Sequence, residues 1–418
     1  METLDLIISD ETLRDGEQQV GLFFDDKAAI AQLIAQTGVQ QMALMPAIHS
    51  TEADLVRGLI DAGLRQQVIA STMMKRSAID HSKACGVGQI ILFHAVSDRL
   101  LFLRDAEVAT DPTLNGKTID DDLPSGLIQR CRQRMLENAL THVRYAAEQG
   151  LRICFAAEDA SRADFQFLVD CINTLAPYLD QFLLCDTVGI LTPEKTFIWI
   201  RDLLEYTSSV PLSVHFHNDM GLALENTIQA VRAGARGVSG TMGGIGERAG
   251  NAPLEQVLQG LRSRFGYEVA GIDYDAIARV VSYLQEHGHR PHAPYSPGAQ
   301  RHESGIHVSA LLRDRKSYTV FPHGQPEIWF GKGSGASNFQ YLFEQHLGQP
   351  LERAEYERLR EKVKAIALAE RRSYCADEVL ALIREHQLLE TSYCNHRQKT
   401  KLDKNISQSD AVRLLKNS

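Results

Sequence analysis

Two histidines separated by one residue lie in an alternating stretch of the chain, Pro211–Asp219. Residues two apart in an extended strand point to the same face, so the imidazoles of His215 and His217 would leave the strand together. Two nitrogen ligands that converge suit a divalent cation, provided that a carboxylate arrives from elsewhere in the chain. The alternative is a pair of hydrogen-bonded histidines in a barrel core. The polar residues that follow are typical of a strand opening into a functional loop, which favours the metal site.

Polar residues also follow four other stretches that read as strands. They are Ser9–Gln18, Glu158–Asp159, Asp186–Gly189 and Gly243–Asn251. The carboxyl ends of parallel strands in a barrel meet at one rim, so these side chains and the two histidines would converge there. Turn formation alone explains part of the pattern, because Asp and Gly make turns and Arg14 could pair with Glu11 or Asp15. The glycine-rich loop could likewise be a plain strand-to-helix turn.

The elements that must position these residues recur with a regular alternation. Eight β-rich runs are predicted at Leu4–Ser9, Gln40–Met45, Gln67–Thr72, Gln89–His94, Arg152–Ala157, Gln181–Cys185, Leu212–His217 and Gly237–Thr241. Amphipathic segments between them predict helices at Asp26–Thr37, Glu52–Gly63, Ile128–Gln149, Ala163–Leu175, Pro193–Tyr206 and Leu222–Ala233. Eight alternating units indicate an α/β fold of the (β/α)8 TIM barrel type, with a doubly wound sheet as the weaker alternative.

Beyond Phe265 the alternation stops, and a helix is predicted at Tyr274–Glu286. We therefore expect three regions: a catalytic barrel over residues 1–275, a linker and subdomain over residues 276–345, and a helical C-terminal subdomain with a polar tail over residues 346–418. The barrel would thus be followed by a smaller, mainly helical C-terminal region. The long connection Ser97–Leu127 carries several aspartates and would be either a substrate lid or a solvated insertion.

Composition excludes several classes of partner. The net charge is -9 with no basic block, which argues against nucleic acid and against an anionic membrane surface. No apolar run reaches membrane-spanning length, and the N-terminus lacks the features of a signal peptide, so we expect a cytoplasmic protein. The seven cysteines are scattered without a Cys-x-x-Cys motif, which indicates reduced thiols, mostly in the core.

Four motifs together resemble those of the metal-dependent family that contains 2-isopropylmalate synthase, homocitrate synthase and citramalate synthase. They are Asp10–Gln18, His215–Asp219, Gly244–Asn251 and His302–His307, in family order. The resemblance implies a Claisen-type condensation in amino-acid biosynthesis. An acyl-CoA, usually acetyl-CoA, would add through its α-carbon to the keto group of a 2-oxo acid, giving a 2-alkylmalate-type product and CoA after thioester hydrolysis.

The resemblance also implies roles for individual residues. Asp15, His215 and His217 would hold a divalent metal, Mg²⁺, Mn²⁺ or Zn²⁺, that chelates the 2-oxo acid as a Lewis acid. Arg14 would stabilise the oxyanion or enolate beside it. Two further positions would contact the 2-oxo acid: Gln18 and Thr187.

Proton transfer in the family involves a glutamate, a histidine and a tyrosine, which match Glu158, His307 and Tyr318. In the family the region that carries the histidine reaches into the neighbouring subunit's site. A homodimer is therefore implied. For His307 the alternative is a buried histidine at a helix cap.

Two departures from the family pattern bear on the substrate. Where relatives carry a glutamate after the second strand, this chain has Ala43–Pro46, and where homocitrate synthases have an arginine on the fifth strand it has Cys154. Without that cation, the distal carboxylate of 2-oxoglutarate would be buried unpaired, so we expect a 2-oxo acid with a neutral side chain beside an apolar wall of Ala43, Leu44 and Met45. The alternative is a relocated pocket in which a neighbouring strand end supplies the cation, from Arg162, His94 or Arg99.

Two other functions are alternatives to condensation. A metal-dependent lyase or aldolase of the same superfamily would run the reverse reaction, but such lyases carry a catalytic cysteine in the glycine-rich loop, and Gly243–Asn251 contains none. A non-catalytic relative that binds a 2-oxo acid is suggested by Ala43 and by Gly243, which replaces a common asparagine. Retention of the other site residues argues against it.

Overall fold

The computed structural model describes residues 2–207, 210–319, 321 and 325–389. Eight parallel strands form a closed barrel in chain order. They are β2 (Ile7–Asp10), β3 (Gln41–Leu44), β4 (Val68–Met73), β5 (Gln89–Ala95), β6 (Arg152–Glu158), β7 (Gln181–Asp186), β8 (Leu212–Phe216) and β9 (Gly237–Gly240). The predicted (β/α)8 TIM barrel is confirmed, and the doubly wound alternative is wrong.

In the described part of the chain, four short strands lie outside the barrel: β1 (Glu2–Leu4), β10 (Tyr267–Val269), β11 (Arg301–His302) and β12 (Glu327–Ile328). Strand β1 pairs in parallel with β10. The predicted first strand, Leu4–Ser9, is therefore two strands, because Leu4 ends β1 and the barrel strand begins at Ile7. The apolar alternation of Leu4, Leu6 and Ile8 runs across the break, so the sequence pattern hides it.

Eleven helices of the described chain accompany the barrel strands. They are α1 (Lys27–Ala35), α2 (Ser50–Leu59), α3 (Arg76–Ala84), α4 (Asp98–Arg104), α5 (Ala106–Thr110), α6 (Leu127–Glu148), α7 (Phe165–Leu175), α8 (Pro193–Tyr206), α9 (Ala223–Ala233), α10 (Leu254–Phe265) and α11 (Tyr274–Glu286). Many begin at a polar cap: Asp26, for example, accepts a hydrogen bond from the backbone N–H of Ala29, and Asp164 accepts one from Phe167. Across the described residues, no helix combines the length and the apolar composition needed to cross a bilayer.

Side chains alternate along the barrel strands between the outer core and the barrel interior. Val214 and Phe216 of β8 point outward and are fully buried in the large core between strands and helices. A separate, smaller cluster fills the barrel interior: Ala43, Ile69, Ile91, Cys154, Ala156, Leu183 and Cys185. Residues of β8 with the opposite parity, among them His215, therefore face the inside of the barrel.

The connection between β5 and α6 is folded. Helix α4 buries four consecutive apolar side chains, Leu100–Leu103, in the main core. Its aspartates serve local structure, because Asp105 caps α5 and Asp111 caps the following turn, while Asp120 pairs with Arg99. The connection is therefore an integral part of the barrel's helical layer.

The chain divides into two compact units. One comprises the described residues up to His302 together with Ala310–Glu327, and the other comprises Glu303–Ser309 and the described residues from Ile328 onward. The second unit is mainly helical and contains α13 (Ala336–Gln340), α14 (Arg353–Glu370) and α15 (Ala376–Glu385), while α12 (Gly305–Arg313) begins in it. The expected smaller helical C-terminal region is confirmed. The predicted boundaries at residues 275 and 345 stay predictions, and the polar tail lies outside the described residues.

Candidate functional site

The candidate metal ligands meet at the carboxyl-terminal rim of the barrel. One ligand atom from each of Asp15, His215 and His217 lies within 4.8 Å of the other two, and all three side chains are buried. The Nε2 atoms of the two imidazoles are 3.3 Å apart. Oδ2 of Asp15 lies 3.7 Å from Nε2 of His215 and 3.8 Å from Nε2 of His217. Bonds of about 2.0–2.2 Å to one cation would separate neighbouring ligand atoms by roughly 3–3.6 Å. The three side chains therefore fit a divalent cation and leave coordination positions open for substrate.

Neighbouring polar groups orient two of these ligands. Asp15 Oδ1 accepts hydrogen bonds from the Asn251 side chain at 2.9 Å and from the backbone N–H of Glu247 at 3.1 Å, which leaves Oδ2 toward the imidazoles. The Nδ1 atom of His215 lies 3.2 Å from the hydroxyl of Ser239, which leaves Nε2 toward the carboxylate. Such partners fix the tautomer and direction of metal ligands.

The electrostatics of the site suit cation binding. Burial opposes ionisation of Asp15, but His217, Arg14 and His215 together outweigh it and hold the pKa of this carboxyl well below its usual range. Burial also lowers the pKa of His215. An ionised carboxylate beside a neutral imidazole is the protonation state that metal coordination requires.

Arg14 lies beside these ligands and makes both predicted ion pairs. Its Nε donates to Glu11 at 2.7 Å and its Nη1 donates to Asp15 at 3.3 Å. Glu11 is fully buried and also accepts a 3.3 Å hydrogen bond from Ser239. The arginine is thus fixed at the cation site, with its side chain partly exposed.

A second polar group forms around Glu158 at the end of β6. Tyr318 is almost completely buried and donates its hydroxyl proton to Glu158. Arg104, the last residue of α4, donates to both carboxylate oxygens, at 2.5 and 2.9 Å, and also to the Tyr318 hydroxyl. Two of the three residues expected in proton transfer therefore meet within one chain, together with an arginine that the sequence analysis did not consider.

The two residues expected to contact the 2-oxo acid lie on the same rim. Thr187 follows β7 directly, and its hydroxyl oxygen accepts a 2.8 Å hydrogen bond from the backbone N–H of Asp159, which leaves its own proton available to a ligand. Gln18 ends the short 3₁₀ turn Gly16–Gln18 that follows Asp15, and it is half-buried.

His307 belongs to the second unit. It lies in the first turn of α12 and is half-buried. Its role in proton transfer stays a prediction.

The cations that could have served a distal carboxylate are already engaged. Arg162 pairs with Asp159 at 2.7 Å and donates to the backbone carbonyls of Lys316 and Ser317. Arg99 pairs with two aspartates of its own unit. Burial lowers the pKa of His94, which favours its neutral form.

The apolar wall expected near the site is partly wrong. Ala43 and Cys154 do face the barrel interior, as members of the inner cluster. Leu44 points the other way and is buried in the outer core, because adjacent residues of a strand face opposite sides. Met45 follows β3 and is half-buried.

The buried pair of Arg248 and Asp219 was also missed. Arg248 adopts a positive φ of 57° in the glycine-rich loop and binds both Asp219 oxygens, at 2.8 and 3.0 Å, as well as the backbone carbonyl of Thr187. The motif that contains it was noted, but a contact between loops of different strands leaves no local signal in the sequence. This pair ties the loops after β7, β8 and β9 together.

Comparisons with known proteins identify relatives of this chain. A family described as HMGL-like matches residues 5–109 and 125–283. The chain is 33% identical over 322 residues to homocitrate synthase AksA of Methanopyrus kandleri, covering 75% of each chain. It is 29% identical to 2-isopropylmalate synthase 2 of Caldanaerobacter subterraneus subsp. tengcongensis, covering 90% of this chain and 94% of the relative. The crystal structure of the Bacillus subtilis HMG-CoA lyase shares the fold, with a TM-score of 0.52 at 16% identity over 72% of this chain and 99% of that one.

Proposed function

The chain belongs to the HMGL-like family and is an acyltransferase similar to the homocitrate and 2-isopropylmalate synthases, and we propose that it condenses acetyl-CoA or a related acyl-CoA with a 2-oxo acid whose side chain is neutral. The observation that carries the proposal is the convergence of Asp15, His215 and His217 at the barrel rim beside Arg14. A group of this kind can bind a cation and a charged oxygen of a substrate at one point.

The cation would be Mg²⁺, Mn²⁺ or Zn²⁺, held by the carboxylate and the two imidazoles. When bound, it would supply Lewis-acid polarisation of the keto group. Arg14 would stabilise negative charge on the reacting oxygen. The hydroxyl of Thr187 and the amide of Gln18 would position the 2-oxo acid.

Proton transfer would fall to Glu158, Tyr318 and His307. A base of this group removes a proton from the methyl carbon of acetyl-CoA, and that carbon forms a bond to the keto carbon of the 2-oxo acid. The keto oxygen takes up a proton and becomes a hydroxyl. Water then cleaves the thioester C–S bond, which releases CoA as a thiol. The high pKa of the buried Tyr318 phenol keeps it in the protonated form that can donate.

The preference for a neutral side chain rests on the interior of the barrel. The cluster that contains Cys154 consists of apolar side chains and thiols, and burial keeps the pKa of the Cys154 thiol well above its ordinary value, so the thiol stays uncharged. The candidate replacements Arg162 and Arg99 are held by aspartates. A second carboxylate would lose hydrogen bonds to a charged partner, each worth roughly 1.5–3 kcal/mol.

The test is release of CoA from acetyl-CoA, measured with a thiol reagent, across a panel of 2-oxo acids with Mg²⁺ or Mn²⁺. We expect release with pyruvate, 2-oxoisovalerate or a longer neutral 2-oxo acid, and a lower kcat/KM with 2-oxoglutarate. A preference for 2-oxoglutarate would contradict the neutral pocket. Release that does not depend on any 2-oxo acid would contradict condensation.

A further inference from the structure

We propose that Arg104 is a positioning residue for the reaction: it holds the carboxylate of Glu158 ionised and fixed in direction. The fixed carboxylate in turn orients the hydroxyl proton of Tyr318. The inference rests on the proposed function, since it assigns a task within that site. Arg104 lies at the end of α4, in the connection that the sequence predicts as a lid or a solvated insertion.

The contact has the geometry of a rigid pair. Nη1 of Arg104 lies 2.5 Å from Oε2 of Glu158, and Nη2 lies 2.9 Å from Oε1. Two parallel hydrogen bonds fix the plane of a carboxylate as well as its distance. The same Nη2 donates to the hydroxyl of Tyr318, which in turn donates to Glu158. Because the hydroxyl oxygen of Tyr318 accepts a hydrogen bond from Arg104, its single proton points toward the carboxylate of Glu158.

The backbone of Arg104 is held firmly. The four residues before it are buried in the main core, so the helix that presents the guanidinium is anchored along its apolar face. At the other end of α4, Arg132 donates to both oxygens of Asp98 at 2.7 Å. Arg104 is thus a fixed donor that meets a fixed acceptor, which is the arrangement needed to hold a catalytic carboxylate.

Tyr318 has anchors that do not involve Arg104. Arg162 donates to the carbonyls of Lys316 and Ser317, at 2.8 and 2.6 Å, and Arg99 pairs with Asp314 of the same segment. The segment therefore stays attached to the barrel when Arg104 is replaced. Replacement of Arg104 should therefore change the charge and orientation of the Glu158 carboxylate while leaving the fold largely intact.

Other titratable groups act on the same trio. They include His94 on β5, Asp159 after β6, Cys185 on β7 and Glu247 after β9. Burial raises the pKa of Cys185 to far above neutral and lowers that of His94, so neither offers a positive charge at neutral pH. Asp159 and Glu247 are acids. Among these groups, Arg104 is the one that carries a positive charge, and it pairs directly with Glu158.

The experiment compares Arg104→Gln, Arg104→Lys and the matched control Arg132→Gln. Arg132 lies on α6, and its replacement breaks the bidentate pair with Asp98 at the start of α4. Removal of a cation raises the pKa of a neighbouring carboxyl group, so Glu158 becomes ionised only at higher pH. For Arg104→Gln we expect the acidic limb of the kcat/KM profile for CoA release to move to higher pH. We also expect kcat to fall on the order of 10²-fold, with little change in KM for the 2-oxo acid. Arg104→Lys keeps the charge but not the paired bonds, so the limb should stay in place while kcat remains low.

The control Arg132→Gln should lower thermal stability and leave the pH profile unmoved. A folded Arg104→Gln with wild-type kcat and profile would overturn the proposal. An equal shift of the pH profile in Arg132→Gln would also overturn the proposal, because the shift would then come from a change in the fold. If Arg104→Gln does not fold, Arg104→Lys decides, and wild-type kcat in that variant is the contradicting result.

A second measurement distinguishes failure of the proposed function from failure of the role assigned to Arg104. The ¹³C carboxyl resonance of Glu158, assigned with Glu158→Gln, titrates without any substrate. It should titrate at higher pH in Arg104→Gln than in the wild type even if no 2-oxo acid releases CoA, and an unchanged titration would contradict the assignment of Arg104.

Discussion

Two ligands of the proposed cation site are oriented by hydrogen bonds to groups that are not themselves ligands. Asn251 and the backbone of Glu247 occupy one oxygen of Asp15, and Ser239 contacts the far nitrogen of His215. The other ligand atoms, Oδ2 of Asp15 and Nε2 of His215, are thereby directed to one point. Partners of this kind commonly contribute 10–100-fold to metal affinity, by order of magnitude.

The first prediction concerns these ligands. His217→Ala and Asp15→Asn should each abolish turnover and tight metal binding while leaving cooperative unfolding intact, because they change the rim and not the packed core. Metal content after dialysis and CoA release are the measurements. His142→Ala, a histidine on α6 that bonds only a local carbonyl, is the matched control. Full activity of either ligand variant in the presence of a chelator would contradict the metal site.

The second prediction concerns Asp10, whose side chain is fully buried and accepts two hydrogen bonds from Thr12. Burial raises its pKa to about 7. The folded state therefore keeps a proton that the unfolded state releases near its ordinary pKa, so Asp10 reduces stability progressively as pH rises from about 4 to about 7, by at most about 1.4 kcal/mol per pH unit. Above that window the penalty is constant.

Asp10→Asn carries no titrating proton, so its stability relative to the wild type should improve between pH 5 and pH 8. Urea unfolding of both proteins at the two pH values measures the difference. An equal stability difference at both pH values would show that Asp10 is ionised throughout.

Individual contacts were predictable from the sequence only where they are local or follow strand parity. The pairing of Arg14 with Glu11 and Asp15 is within one turn, and the shared direction of His215 and His217 follows from the two-residue period. Arg104 was not foreseen because its partner Glu158 lies 54 positions away and no periodicity links them. Attention to that connection fell on its aspartates, which turned out to cap turns and pair locally.

Elements were predicted more reliably than contacts. The eight barrel strands lie within a few residues of their predicted positions, because each apolar run is bounded by a polar loop and a capped helix. Helix α8 begins and ends as predicted, at Pro193 and Tyr206, where a threonine cap and a first-turn proline set its start. The failures are the break before Ile7 and the direction of Leu44, neither of which changes the hydrophobicity of the run.

The third prediction concerns the barrel interior as a unit. Cys154 is one member of an apolar cluster, so Cys154→Arg should place a positive charge there and move the kcat/KM ratio toward 2-oxoglutarate. Because 2-oxoglutarate would bind the introduced guanidinium in the folded state, it should also raise the melting temperature of the variant.

Cys154→Ser is the matched control, since it changes the same position without adding charge. It should retain the preference for neutral acids. Unchanged ratios in Cys154→Arg would mean that position 154 does not reach the substrate's side chain.

At the scale of the whole molecule, the barrel carries the proposed cation site together with Glu158, Arg104 and Tyr318, whereas His307 lies in the second unit. The sequence predicted a barrel followed by a helical region. It could not show that the segment Ala310–Glu327 returns to the barrel unit, because that depends on arginine contacts made far along the chain. We propose that the protein is a homodimer whose second unit supplies His307 to the neighbouring subunit.

The fourth prediction tests this assembly by complementation. His307→Ala and Asp15→Asn are each expected to be inactive. If a site combines residues of two subunits, a mixed dimer contains one site with both wild-type residues, so mixing should restore part of the activity. Mixed dimers are isolated with two affinity tags, and His307→Ala mixed with itself is the control. No rescue in proven mixed dimers would contradict a shared site.

Carbon–carbon bond formation is the most direct evidence of condensation. The measurement incubates the wild-type enzyme with acetyl-CoA labelled with ¹³C in the methyl group, a neutral 2-oxo acid and Mg²⁺ or Mn²⁺, and follows the label by NMR. We expect the labelled carbon to appear as a methylene bonded to the former keto carbon, in step with CoA release, and to do so only when metal and 2-oxo acid are both present. Label that appears only in free acetate would show thioester hydrolysis without condensation and would contradict the proposed function.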